Sequence, residues 1–101
     1  MPEGLKVTYL PAAVRDLEEI IDYVRRGSLE RAEKLLNKLA AEIGRLARFP
    51  RLAVVPKDPY LMSKRYRLLV IENYLVFYLA RRQAILIHRV IHGTRRYESL
   101  L

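Results

Sequence analysis

Near the C-terminal end of this chain, His92-Gly93-Thr94-Arg95-Arg96-Tyr97 gathers an imidazole, two permanent cations and a phenol beside a flexible glycine. These are working parts for metal-free phosphodiester cleavage. A base takes the 2′-hydroxyl proton, a cation stabilises the crowded phosphorane, and an acid protonates the leaving oxygen. Read this way, His92, Arg95 and Tyr97 are candidate catalytic groups, with Arg96 next to them for substrate. Arg65 and Arg67, some thirty residues upstream, offer further phosphate contacts. Tyr66, Tyr74, Tyr78 and Tyr97 offer rings on which splayed bases can stack. The rest of the chemical inventory is thin. There is no nucleotide-binding glycine loop and no serine-centred triad. His88 and His92 stand four apart on a predicted strand, too far apart to chelate and without an acidic neighbour, so no metal and no cofactor are expected. The absence of cysteine removes disulfides, thiolate nucleophiles and cysteine-based zinc sites.

Elements must position these groups. Lys6 to Leu10 reads as a short strand, and Pro11 suits the first turn of a helix, where its missing N–H costs nothing. Val14, Leu17, Ile20, Ile21 and Val24 recur at helical spacing. Gly27-Ser28 breaks that helix and caps the next. The second helix carries Ala32, Leu35, Leu36, Leu39, Ala40, Ile43 and Leu46, and must stop by Phe49-Pro50. Residues 51–63, with Pro56 and Pro59, read as a loop. The pattern then turns to β: Tyr66–Ile71, a two-residue turn at Glu72-Asn73 whose asparagine tolerates positive φ, Tyr74–Ala80, and Ala84–His92.

The expected fold class is α+β over a single domain, residues 1–101: an N-terminal strand, an αα-hairpin, and a three-stranded antiparallel meander packed on the helices. Alternation along the strands sorts the side chains into faces. Leu75, Phe77 and Leu79 are expected in the helix-covered core, and Tyr74, Val76 and Tyr78 on an open face. Leu86, His88, Val90 and His92 share one side of the last strand, opposite Ile85, Ile87, Arg89 and Ile91. The isoleucines leave the face of Arg89 undecided.

Charge adds a direction. The chain has 101 residues, is 51% hydrophobic and carries a formal charge of +8. Residues 1–63 hold eleven basic and nine acidic side chains, whereas residues 64–101 hold eight and two. A compact fold gathers that excess on limited surface, which attracts polyanions or an acidic protein segment. No apolar run approaches the roughly 20 residues of a membrane helix, and Met1 to Val7 shows no secretory signal. A cytoplasmic protein without a membrane partner is expected.

In order and spacing, four segments resemble the RelE/ParE toxin superfamily: TYLPAAVRDLEEIIDYV, AEKLLNKLAAEIGRLARFP, YRLLVIENYLVFY and ILIHRVIHGTRRYESLL. The strand ending R-V-x-H-G-x-R is the most specific piece. The resemblance implies a growth-inhibiting toxin neutralised by a cognate antitoxin. For the RelE-like branch it implies cleavage of messenger RNA on the ribosome, with Arg67 at the place of a catalytic lysine and Arg95 at that of an essential arginine. There Tyr97 stands for a tail tyrosine, and His92 for the histidine of relatives ending this strand in H-R-R. Leu69 and Leu75 depart from that pattern, since they replace a lysine and an arginine. The ParE-like branch instead poisons DNA gyrase without catalysis, and its long helical hairpin and VVFY-like strand resemble this chain. Ribosome-dependent cleavage is the first expectation, on the strength of His92, Arg95 and Tyr97. Gyrase poisoning and a degenerate, antitoxin-binding homologue are the alternatives.

Overall fold

In the structure, a computed structural model that describes residues 4–93, β1 (Lys6–Tyr9) leads directly into α1 (Pro11–Gly27). Leu10 caps α1 through its carbonyl, which accepts from Val14 N–H at 3.0 Å, and Pro11 takes the first helical position. Arg25 and Arg26 in the last turn complement the helix dipole. Ser28 serves both helices: its N–H donates to Val24 O, and its Oγ accepts from Arg31 N–H at 3.2 Å to start α2 (Leu29–Gly44). The expected αα-hairpin is therefore present. The α2 stripe is narrower than anticipated, with Ala32, Leu35, Leu39 and Ile43 buried but Leu36 and Ala40 exposed. A turn of 3-10 helix (Arg45–Ala47) carries Leu46 into the core before Phe49-Pro50.

Residues 51–63 are more ordered than a loop. Val54 forms a β-bridge to Leu68, and Asp58 caps a five-residue α3 (Pro59–Ser63) by accepting from Tyr60 and Leu61 N–H. Then β2 (Arg67–Ile71), β3 (Tyr74–Ala80) and β4 (Ala84–His92) form the expected meander. In the β2–β3 turn the positive φ falls on Glu72, at 54°, rather than on Asn73. The sheet order is β1-β4-β3-β2, with β1 parallel to β4.

The faces correct the alternation argument. Tyr74, Val76 and Tyr78 pack toward the helices, in the cluster that holds Leu35, Leu39, Ile43, Ile85 and Ile87. Phe77 lies on the opposite face with Leu61, Tyr66 and Ile91, and Leu75 and Leu79 border it. Both sets are apolar, so polarity could not say which faces the helices. The period is also interrupted. Phe77 pairs with Arg89 but Tyr78 with Ile87, so His88 is an extra residue in β4. Past that bulge the phase shifts, and Val90 joins Ile85 and Ile87 in the helix-side core.

Candidate functional site

β1 pairs with β4 only as far as Ile87, after which the chain turns into α1 and leaves the edge of β4 open. Asp16, on the buried side of α1, fills that opening. Its Oδ2 accepts from Arg89 Nε at 2.7 Å and from Val90 N–H at 3.0 Å, while Oδ1 accepts from Arg89 Nη2 at 2.8 Å. Asp16 is 7% exposed, and its hydrogen bond holds the Arg89 guanidinium still more firmly protonated than usual. This bidentate pair fixes the side chain whose face the sequence left undecided. A signal for Asp16 was present: it stands three after Ala13 and four before Ile20, on the apolar stripe.

Across the bulge, on the face away from the helices, His88 Nδ1 meets Tyr66 Oη at 3.0 Å, with the rings edge to face. Burial, and secondarily the Arg81 cation, hold the His88 imidazole below its ordinary range. Burial pushes the Tyr66 phenol up, with Tyr60 adding to it. Both groups are thus neutral near pH 7, and the imidazole tautomer sets which of them donates in the hydrogen bond between Tyr66 Oη and His88 Nδ1.

The candidate residues divide among several places. His92 lies edge to face with Tyr74, ring centroids 5.4 Å apart, at the hairpin end of the sheet. Both line a groove of about 570 Å³ together with Asp16, Tyr23 and Arg31 from the helices. Burial pushes the Tyr74 phenol up and Glu72 adds to this, while Arg31 pulls the other way. Arg67 is at the other end of the sheet, where its Nη1 donates to Ala53 O at 3.1 Å. Tyr78, expected to stack on substrate, is 0% exposed and donates its hydroxyl to Pro50 O at 2.8 Å, which closes it to any base. Burial raises its phenol, against the Ala53 backbone and the Arg67 cation. Arg65 is exposed between α3 and β2 with φ of 64°. Arg95, Arg96 and Tyr97 lie outside the described residues. Leu69 is part of the helix-side core, which explains why an aliphatic side chain stands there.

Among the described residues no group of three or more His, Cys, Asp or Glu is placed to hold a metal ion, and no helix is long and apolar enough to cross a membrane. The model of the ParE toxin of type II toxin–antitoxin systems, parDE, matches residues 7–97. The chain belongs to this family. No curated protein matches the chain. Among solved structures it is similar to a chain of the chromosomal ParDE toxin–antitoxin system from P. aeruginosa. That match has a TM-score of 0.72 and 19% identity, and covers 90% of this chain and 98% of that one. At such identity the likeness speaks for the fold. Membership in the RelE/ParE superfamily and the α+β architecture, both expected from the sequence, are borne out, and the toxin family matched is the ParE one.

Proposed function

We propose that this toxin acts on DNA gyrase by binding rather than by cutting RNA, and that a cognate antitoxin neutralises it. The carrying observation is the separation of Arg67 from His92. The register sets Arg67 opposite Tyr78 and His92 opposite Tyr74. Along the strand direction they are therefore four residue steps, about 13 Å, apart. Proton transfer needs groups within hydrogen-bond reach of the same reacting atoms. Arg67 is also committed to Ala53 O, and Tyr78 is sealed. This reading departs from the first expectation of ribosome-dependent cleavage and takes up its gyrase alternative.

The antitoxin part rests on α1. Leu17, Ile20, Ile21 and Val24 are only half-buried, and Val14, Tyr23 and Leu36 are exposed beside them. Apolar side chains left open along a helix, with charges of both signs around them, suit an amphipathic protein segment.

The test is induced expression with protein synthesis and DNA replication followed separately by pulse-labelling. Early replication arrest with gyrase-linked DNA breaks is expected, and Arg67→Ala with His92→Ala should remain toxic. An early stop in translation with new messenger RNA ends would overturn the proposal and restore the nuclease reading.

A further inference from the structure

At the end of the sheet away from the β2–β3 turn, a cleft of about 720 Å³ opens between two connections. Arg48 and Arg51, which follow the 3-10 turn, form one wall, and Arg81 and Arg82 in the β3–β4 turn form the other. Leu5, Pro50 and Ala80 are among the residues between them, and no acidic side chain lines the cleft. All four arginines are exposed. Five of the seven cations on α1, α2 and the 3-10 turn differ: Arg25 and Arg26 are bound to Asp22, Lys34 to Glu30, and Lys38 and Arg45 to Glu42. Among the described residues, none of the four cleft arginines has an ion pair or a side-chain hydrogen bond.

Like charges repel, and four guanidinium groups brought together without a counter-charge are relieved by an external polyanion. Guanidinium matches phosphate in a two-pronged geometry that ammonium does not offer, and every cation here is arginine. No aromatic ring lines the cleft. Single strands are gripped by stacking bases on such rings, so their absence favours a duplex backbone. A protein segment has the better-suited apolar surface along α1. We infer that the Arg48/Arg51/Arg81/Arg82 cleft is a binding site for the phosphate backbone of duplex DNA. It engages phosphates without reading sequence. The inference is independent of the gyrase proposal and holds equally for a chain that proves non-toxic.

The experiment titrates the full chain with a fluorescein-labelled 20-base-pair duplex at NaCl concentrations from 50 to 200 mM. Four phosphate contacts give a slope of log K against log salt of about −3.6, a loss in affinity of roughly two orders of magnitude over this range. Arg48→Ala/Arg81→Ala should bring the slope to about −1.8. Arg25→Ala/Arg26→Ala removes the same formal charge from α1 and should leave the slope unchanged. An equal fall in both double variants would reduce the effect to net charge and overturn the inference, as would tighter binding of single-stranded DNA of the same length. So would displacement of the duplex by an equimolar acidic peptide. One further measurement needs no variant. Phenylglyoxal modification of the wild-type chain, mapped by mass spectrometry, should find the four cleft arginines shielded by duplex and Arg25 and Arg26 not. Equal modification with and without duplex would also overturn it.

Discussion

Neighbouring residues of β4, His88 and Arg89, anchor two polar pairs of opposite character. Arg89 reaches Asp16 of α1 in a charged, bidentate pair that also satisfies the backbone N–H of Val90. His88 meets Tyr66 on the other side of the sheet through a single hydrogen bond between neutral groups. The first closes the strand edge that β1 abandons. The second covers part of the smaller apolar cluster around Phe77. Both pairs are partly buried, but loss of a partner strands an ion in the charged one, whereas in the neutral one it leaves only an unpaired polar group. The bulge thus separates a pair that holds the helical hairpin to the sheet from a pair that can change with pH.

The largest effect should come from breaking the charged pair on one side. Asp16→Ala leaves Arg89 and Val90 N–H without their acceptor and is expected to cost about 3–5 kcal/mol in urea unfolding. For a domain of this size that is a fall in Tm of roughly 12 °C or more. Removing both charges in Asp16→Leu/Arg89→Met should lose less than half as much, since no ion is stranded. An equal loss in both would mean that the pair matters through packing and not charge.

On the neutral side, Tyr66→Phe keeps the ring against Phe77 and deletes only the hydroxyl, so a loss of about 0.5–1.5 kcal/mol is expected. A loss as large as that of Asp16→Ala would erase the distinction drawn between the pairs. The smallest effect is in pH. Burial and Arg81 lower the folded-state affinity of His88 for protons below its ordinary value of 6.5. Below that pH the unfolded chain binds the proton more readily, so stability is full above about 6.5 and falls as pH drops toward the folded pKa. Tm measured from pH 7.5 to 5.5 should decline in the wild type and decline less in His88→Gln. Parallel profiles would show that His88 does not contribute.

Local signals carried much of the architecture. Pro11, the Gly27-Ser28 break and the spacing of Leu35, Leu39 and Ile43 dictate a helical hairpin, because capping and the 3.6-residue period act within a few residues. The Glu72-Asn73 turn and the β-rich runs beside it dictate the meander for the same reason. The quoted segments also carried the toxin family. Site geometry was less legible. His92 and Tyr74 face each other across adjacent strands, whereas Arg67, named with them as a candidate, sits far along the sheet.

What the sequence by itself determined, then, is the series of elements, their breaks and the family. The tertiary structure alone decided which face of the sheet the helices cover, since both faces of β3 are apolar and one bulged residue shifts the phase of β4. It also decided the pairing of Asp16 with Arg89, 73 residues apart, and the meeting of Arg48 and Arg51 with Arg81 and Arg82. Those relations depend on how elements dock, and docking is set by the whole core at once rather than by any window of the chain.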